Sequence, residues 1–267
     1  MITTTLNTTR VWLIRHGEPT EEARGRCYGS LDVGLSETGR AQMARVAEYL
    51  KDEPIAAIYS SPRARAVEGA KIVAEQMSTQ LAQAPLPGGR GPERQEVSTR
   101  DRGVSLPDGR GSERQEVSTR VSTQHAGVRA PHPDESNCVQ VMSALREIDF
   151  GDFEGLTYDE IAARYPDLYR QWMEMPTEIR FPSGECFSEM RSRVLEAFDA
   201  IKRERKGQTI AIVSHGGVNR ILIAWALQIP DQYLFRVAQD YAAVNLVAME
   251  DGVPSVKLVN HRVTIAC

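Results

Sequence analysis

Two of the five histidines in the chain follow short apolar segments, and each is itself followed by glycine. They are His16, in the sequence LIRHGE, and His215, in the sequence IVSHGG. In an open parallel sheet, ligands bind beyond the carboxyl ends of the strands, so both imidazoles are expected at one edge of a sheet. The glycine after each histidine lets the backbone approach a ligand closely. A single histidine at a strand end is often a packing residue, but this pair, beside Arg15, predicts a shared catalytic site.

Arginines close to these segments indicate an anionic ligand. Arg15 directly precedes the first of the two histidines, and Arg65 falls in the first turn of a helix predicted to begin at Ser61 and Pro62. A cation in a first turn opposes the helix dipole and costs about 0.3–1 kcal/mol unless an anion answers it. Phosphate fits this position, because a helix N-terminus and a guanidinium fork both favour it. The neighbouring Arg63 is expected to be a solvated surface charge.

These side chains suit phosphoryl transfer without a metal ion. The transferred group needs positive charge around its equatorial oxygens and an in-line nucleophile, which two arginines and two imidazoles supply. The departing alcohol also needs a proton donor. The segment from Ala144 to Gly155 contains four candidates, which are Glu147, Asp149, Asp152 and Glu154. Chemistry alone does not choose among them, although Glu147 and Asp149 would share one face of the short strand expected at residues 144–150.

Alternating strands and helices are predicted to hold these residues in place. Apolar runs of strand length and stretches of helical spacing follow one another along the chain. Strands are expected at residues 10–15, 55–59 and 209–213, and helices at residues 36–50, 61–77, 157–175, 187–205 and ending at Leu227. Residues 242–249 and 255–261 are expected to form an antiparallel pair joined at Asp251 and Gly252. The pattern predicts an α/β fold, a three-layer sandwich with a mostly parallel central sheet and helices on both faces.

A segment between these elements has a different composition. Residues 78–137 contain no Phe, Tyr, Trp, Ile or Met, and GRGPERQEVSTR at residues 89–100 recurs as GRGSERQEVSTR at residues 109–120. Such a segment buries too little apolar surface to offset its ordering entropy, and two repeats do not make a solenoid. It is predicted to be a flexible, disordered insertion that interrupts a single domain spanning residues 1–267. A basic binding arm is the alternative, although its arginines are interleaved with acidic residues.

The overall composition is ordinary for a globular protein and narrows the classes of partner. The chain has 32 basic and 36 acidic residues and a net charge of -4, so neither nucleic acid nor a membrane is expected as partner. No apolar run approaches the roughly 20 residues of a membrane span. Four scattered cysteines and the lack of a secretory signal favour reduced thiols in a cytoplasmic protein. No metal or other cofactor is expected, and the oligomeric state stays open.

Four motifs, taken in order, carry a family resemblance. They are RHGE at residues 15–18, SSPRAR at residues 60–65, LREIDFGDFEG at residues 145–155 and VSHGG at residues 213–217. This ordered set resembles the histidine phosphatase superfamily, in its phosphoglycerate-mutase-like branch. The resemblance implies that His16 is the nucleophile that forms phosphohistidine, and that Glu147 is the general acid that later activates water. It also implies a set of residues that bind the phosphoryl group, which are Arg15, Arg65 and His215.

The resemblance extends to the surroundings of this site. Tyr28 and Gly29 match a backbone segment that borders the substrate pocket, and Gly216 belongs to the implied substrate-binding set. Glu154 also matches a family position, where we expect it to support the fold or the site. The chain has Glu22 where the family often carries Asn, which puts one hydrogen bond to phosphate in doubt.

A finer resemblance concerns the substrate. Residues 25–42 and 181–190 look like alpha-ribazole phosphatases, which implies alpha-ribazole 5'-phosphate, a small phosphorylated metabolite of cobalamin biosynthesis, as substrate. An aromatic segment after the third motif would select it, with most of its residues packing and one or two stacking on a base or sugar. These aromatic residues are Tyr158, Tyr165, Tyr169, Trp172 and Phe181.

Other functions remain open beside this interpretation. A broad-specificity phosphatase would use the same site on other small phosphates. A 2,3-bisphosphoglycerate-dependent phosphoglycerate mutase would share the chemistry, but the short core and the short third motif favour a phosphatase. A metal hydrolase would need ligand spacings such as HxH or HExxH, which the chain lacks, and the arginines would repel a cation. A catalytically inactive module would keep phosphate binding without turnover.

Overall fold

The structure, a computed structural model, describes residues 8–81 and 139–264. The strands are β1 (Thr9–Arg15), β2 (Ile55–Ser60), β3 (Val139–Val141), β4 (Thr209–Ser214), β5 (Ala243–Glu250) and β6 (Val253–Arg262). The helices are α1 (Glu37–Leu50), α2 (Ala64–Leu81), α3 (Tyr158–Arg164), α4 (Pro166–Glu174), α5 (Phe187–Glu204) and α6 (Gly216–Leu227). The insertion predicted at residues 78–137 lies outside the described residues, except that residues 78–81 continue the backbone of α2.

The six strands form one sheet in the order β3-β2-β4-β1-β5-β6. The first four strands in this order are parallel, and β5 and β6 add an antiparallel edge, as the sequence predicted. The turn between β5 and β6 has positive φ at both Asp251 and Gly252, the backbone conformation of a tight two-residue hairpin. Arg15 pairs with Ser214 across β1 and β4, so these two strands end side by side.

Helices cover both faces of this sheet and confirm the predicted three layers. On one face, Phe198 of α5 and Leu222 of α6 pack in a core cluster with Leu13. On the other face, Met43 of α1 packs in a second cluster with Ile14, and α2 contributes to the same cluster. Successive residues of β1 therefore enter different cores. Burial on both faces explains why this strand is a continuous apolar run rather than an alternating one.

The strand predicted at residues 144–150 does not form. Residues 143–145 make a short 3-10 turn and an irregular segment follows, while the edge strand β3 lies earlier in the chain. The guanidinium of Arg193 donates hydrogen bonds to the carbonyls of Ala144, Arg146 and Glu147, which a strand would have used for its ladder. The expected shared face of Glu147 and Asp149 is therefore wrong as well.

The start predicted for the second helix is also wrong. The helix begins at Ala64, because Asp32, from a distant loop, accepts the N–H of Ala64 at 2.7 Å and supplies the cap. Ser61 lies before the helix, where its hydroxyl is available to other partners. Arg65 stays within the first turn, as predicted.

The predicted helical stretch at residues 157–175 is divided into two short helices. Pro166 starts α4 directly after α3, because proline lacks the N–H that a continuous helix would need. The two helices cover a small core of their own that contains Phe153, Trp172 and Phe181. Over residues 8–81 and 139–264, no helix has both the length and the hydropathy required to span a bilayer.

Candidate active site

The ends of β1 and β4 bring His16 and His215 together. Their ring centroids are 5.1 Å apart, with the ring planes at 68°. Both side chains are buried, with 2% and 0% of the residue exposed. The structure thus places the two imidazoles in one site, as the two strand-end motifs predicted.

The hydrogen bond of His16 fixes which ring nitrogen can react. Nδ1 lies 2.7 Å from the carbonyl oxygen of Gly17, and since that oxygen only accepts, Nδ1 carries the proton. The lone pair therefore resides on Nε2. Burial, together with the charges of Arg15 and Arg65, holds the pKa of His16 well below its usual value. A neutral imidazole with a free Nε2 is a competent nucleophile.

His215 is oriented by the hydroxyl of Ser61. Its Nε2 lies 2.7 Å from Ser61 Oγ, which also accepts the N–H of Arg63 at 3.3 Å. We assign the hydroxyl proton to the bond with Nε2, which places the ring proton of His215 on Nδ1. Burial, followed by the charge of Arg65, lowers the pKa of His215 well below its usual value, so the ring is a neutral donor. Arg63 is partly buried, with Nε enclosed, so its expected role as a solvated surface charge is wrong.

Arg15 is held from outside the predicted motifs. Its Nη1 donates to the carbonyl oxygen of Gln239, and its guanidinium lies 4.2 Å from the ring centroid of Tyr241. The hydroxyl of Tyr241 lies 2.6 Å from that of Tyr28, which lines the site. Gln239 is in turn hydrogen-bonded through its side chain to buried Asn245. Sequence reasoning missed Gln239 and Tyr241, because a backbone carbonyl and a stacking ring leave no pattern at the sequence level.

Arg65 is completely buried and binds a loop of the backbone. Its two terminal nitrogens donate to the carbonyls of Leu31 at 2.9 Å, Tyr28 at 2.8 Å and Gly29 at 3.1 Å. These carbonyls satisfy the guanidinium on one side. The predicted pocket-bordering segment is therefore the part of the chain that anchors the buried cation.

The other side of the same loop is held by Glu154. Its carboxylate accepts the N–H groups of Ser30 at 2.6 Å and Leu31 at 3.2 Å, in agreement with the supporting role expected for this residue. Gly29 packs so closely that a Cβ there would lie 1.8 Å from the carbonyl oxygen of Ile148. A side chain at this position would push the loop away from Arg65.

Three residues around one cavity each carry a buried donor without a partner. Arg15 Nε, Arg65 Nε and His215 Nδ1 have no hydrogen-bond partner among the described residues. These three residues, together with His16, line a cavity of about 150 Å³. Leaving a buried donor unpaired costs about 1–3 kcal/mol, so such groups are rare unless a ligand answers them. A tetrahedral oxyanion matches a cavity that is lined by three such residues.

Glu147 lies where this cavity meets a second one. One carboxylate oxygen accepts the N–H of Gly217 and the other that of Ile148, each at 3.1 Å. The second cavity, of about 180 Å³, shares Glu147 with the first. Its wall includes Arg220 and six aromatic side chains, which are Phe150, Tyr158, Trp172, Phe181, Phe187 and Phe235. Glu147 is thus placed between an oxyanion pocket and an aromatic pocket.

The other sequence candidates lie away from the first cavity. Of the four described carboxylates that the sequence left open, Glu147 alone lines it; Asp149 accepts the N–H of Gly151, and Asp152 is exposed. Glu22 is exposed in a short 3-10 helix. Gly216 does not line the cavity, but a Cβ there would lie 3.5 Å from Arg15 Nε.

The two buried imidazoles are expected to stay neutral over the physiological range. Because their folded pKa values lie below the ordinary value of 6.5, their contribution to stability is present above that pH and is lost as the pH falls below it. We expect NMR titration of the ring signals, assigned with His16→Ala and His215→Asn, to show no protonation step at or above pH 6.5. A midpoint in that range for either ring would contradict the neutral state.

Known proteins resemble the chain in sequence and in fold. The family model described as "Histidine phosphatase superfamily (branch 1)" matches residues 11–86 and 133–262. A protein of Mycobacterium tuberculosis named as bifunctional is 29% identical over 94% of this chain but only 54% of its own length, so the chain spans about half of that relative. A metal-independent phosphoserine phosphatase of Arabidopsis thaliana is 27% identical over 80% of this chain and 67% of its own.

A solved structure shares the fold of the chain. The alpha-ribazole phosphatase of Shigella flexneri superposes with a TM-score of 0.67, covering 97% of this chain and 99% of that one. The two sequences are 20% identical, so the likeness concerns the fold.

Proposed function

The chain belongs to the histidine phosphatase superfamily, and on this premise we propose that it hydrolyses phosphomonoesters through a phosphohistidine on His16. The observation that carries the proposal is that three residues with buried donors, unpartnered within residues 8–81 and 139–264, line one cavity with His16. Arg15, Arg65 and His215 would bind the phosphoryl oxygens while Nε2 of His16 faces the phosphorus.

The first half-reaction transfers the phosphoryl group to the protein. Nε2 of His16 forms a bond to phosphorus as the bond from phosphorus to the ester oxygen breaks. The donors of Arg15, Arg65 and His215 stabilise the negative charge on the equatorial oxygens. Glu147, in its protonated form, gives its proton to the departing alkoxide, which leaves as the alcohol. Its position between the two cavities suits this role, because the ester oxygen lies where phosphate ends and the leaving group begins.

The second half-reaction regenerates the site. Glu147, now a carboxylate, accepts a proton from water as the water oxygen bonds to phosphorus and the bond from phosphorus to Nε2 breaks. Inorganic phosphate leaves and His16 returns to its neutral state. Positive charge comes from guanidinium groups throughout, and two imidazoles flanked by arginines are a poor ligand set for a divalent cation.

Within this class, we propose alpha-ribazole 5'-phosphate as substrate and cobalamin biosynthesis, in the cytoplasm, as the setting. The resemblance of residues 25–42 and 181–190 supports it, and the second cavity offers aromatic walls to the planar base of the leaving group. Tyr158 lies stacked on Trp172 at the border of both cavities. The test is phosphate release from alpha-ribazole 5'-phosphate, O-phosphoserine and 3-phosphoglycerate. We expect the highest kcat/KM for alpha-ribazole 5'-phosphate. A higher kcat/KM for either of the other two would overturn this choice of substrate.

We also propose one catalytic domain interrupted by an insertion. The family model matches the chain on both sides of residues 87–132 and leaves them unmatched, which supports this organisation.

The test of the phosphohistidine is a quenched single turnover. With p-nitrophenyl phosphate in the presence of EDTA, we expect acid-labile phosphate on the peptide that contains His16. Turnover without a labelled histidine, or loss of turnover in EDTA, would overturn the mechanism.

Glu147→Gln is expected to separate substrates by their leaving groups. The amide keeps the shape of the side chain but cannot donate the proton, so alkyl phosphates should lose about 10²–10⁴-fold in kcat. Aryl phosphates leave without protonation and should show a much smaller loss. Steady-state kinetics on both substrates measure the difference, with Asp149→Asn as the control on the same segment. Equal losses on both substrates would count against the acid role.

A further inference from the structure

We propose that Arg193 and Glu185 are positioning residues that hold the Glu147 carboxylate between the two cavities. The proposal rests on the proposed function, since Glu147 must be its general acid. Neither residue lines either cavity, so they would act through Glu147 rather than on the substrate.

Three carbonyls of the segment that carries Glu147 bind the same side chain, that of Arg193. All five N–H groups of the Arg193 guanidinium are used. Nη1 donates to the carbonyls of Ala144 at 2.7 Å and Arg146 at 2.8 Å, and Nη2 to that of Glu147 at 3.1 Å. The remaining two N–H groups bind both carboxylate oxygens of Glu185, at 2.8 and 2.7 Å. Arg193 thus gives three carbonyls of an irregular segment the donors that a sheet would otherwise supply.

Glu185 binds the same segment as an acceptor. Its carboxylate accepts the guanidinium of Arg146 at 2.6 Å and the N–H of Asp149 at 3.2 Å. Burial alone would raise the pKa of Glu185, but hydrogen bonds and charge from Arg193, with Arg146, hold it below its usual value. The side chains of Glu185 and Arg193 are only 13% and 14% exposed, so removing either one would leave the charge of the other largely buried with fewer partners.

These contacts fix Glu147 at its backbone, while α6 fixes it at its carboxylate. The N–H of Gly217 binds one carboxylate oxygen, and a Cβ at Gly217 would lie 2.3 Å from the other. Without Arg193, three carbonyls lose a buried donor and the backbone below the carboxylate is free to shift. A misplacement of about 1 Å costs on the order of 100-fold in rate. The nucleophile lies at the end of β1, on a different segment, and should be affected much less.

Arg193→Lys is the test, because lysine keeps the charge but offers no planar fork. We expect kcat on alkyl phosphates to fall about 100-fold, with KM unchanged and the rate on p-nitrophenyl phosphate nearly retained. Arg191→Lys is the matched control: this arginine lies on the same helix, exposed, in an ion pair with Asp231, and should leave both rates unchanged. If Arg193→Lys does not fold, Glu185→Gln is the second test. This variant keeps an acceptor oxygen, and its kcat should also fall more on alkyl phosphates than on p-nitrophenyl phosphate, but by a smaller factor.

A double-mutant cycle shows whether the effect passes through Glu147. In the Glu147→Gln background, Arg193→Lys should add no further loss on alkyl phosphates. Additive losses, or an equal loss on alkyl and aryl substrates in both positioning variants, would overturn the proposal. Phosphohistidine trapped from p-nitrophenyl phosphate should persist in Arg193→Lys. Failure to trap it in the unsubstituted protein would instead refute the proposed function itself.

Discussion

His16→Ala is expected to lower the turnover of every phosphomonoester by about 10⁴-fold or more, because no covalent intermediate can form without the nucleophile. The loss should not depend on the leaving group, which distinguishes it from the effect of Glu147→Gln. Steady-state assays with p-nitrophenyl phosphate and an alkyl phosphate measure the rate. Mass spectrometry after a quenched turnover should find no phosphorylated histidine in the variant.

The matched control is His261→Ala. This histidine lies on β6, with its ring 5.3 Å from that of Tyr49, and does not line the catalytic cavity. Its replacement should leave turnover unchanged. A normal rate for His16→Ala would refute the assignment of the nucleophile.

The same variant bears on the alternative of an inactive phosphate-binding module. The three donors proposed to bind phosphate, on Arg15, Arg65 and His215, are untouched by His16→Ala, so calorimetric titration with inorganic phosphate should still detect binding. If the unsubstituted protein bound phosphate without turning over any ester, the module would be the better description. If the unsubstituted protein turns over esters, and His16→Ala loses that activity but still binds phosphate, the result supports catalysis.

The sequence predicted the core of the fold because the relevant signals are local. β1 and β4 are buried on both faces, so each is a continuous apolar run that ends at a histidine and a glycine. Parallel strands end at a common edge, and that rule sufficed to bring His16 and His215 together without knowledge of the register. The turn at Asp251 and Gly252 likewise needs backbone with positive φ, which those residue types tolerate.

Other features escaped prediction because they depend on side chains distant in sequence. Arg193 replaces the ladder of the expected strand around Glu147 from 46 residues away. Asp32 caps α2 from 32 residues before it, which moved the start of the helix past Ser61. In both cases a polar group from elsewhere satisfies the backbone. Hydrophobic periodicity reports burial and contains no record of such bonds.

The local sequence also did not single out Glu147 as the acid among four carboxylates. Residue type made Asp149, Asp152 and Glu154 equally suitable as acids, and only the family resemblance favoured Glu147. In the structure, Glu154 is occupied with the loop that binds Arg65. Cavity geometry therefore separates a candidate acid from a supporting carboxylate where chemistry alone did not.

Arg65→Lys is expected to damage both stability and catalysis. The guanidinium donates to the carbonyls of Tyr28, Gly29 and Leu31 from two nitrogens, whereas lysine offers three donors from one point. At least one buried carbonyl should lose its partner, at about 1–3 kcal/mol of folding free energy. The buried Nε donor, unpartnered among the described residues, is lost as well, and removing one donor to the phosphoryl oxygens costs about 10²–10³-fold in kcat.

Thermal unfolding and kcat/KM on p-nitrophenyl phosphate, measured together, separate the two contributions of Arg65. Arg40→Lys is the control, because Arg40 is exposed and paired with Glu68 at 3.2 Å, and it should change neither quantity. A lowered melting temperature with normal kinetics would make Arg65 a scaffold for the loop and leave phosphate to Arg15 and His215. Lost activity with unchanged melting would mean that the carbonyl bonds add little to stability. We expect both losses, because one buried cation binds the loop through its terminal nitrogens and leaves its Nε for the phosphate.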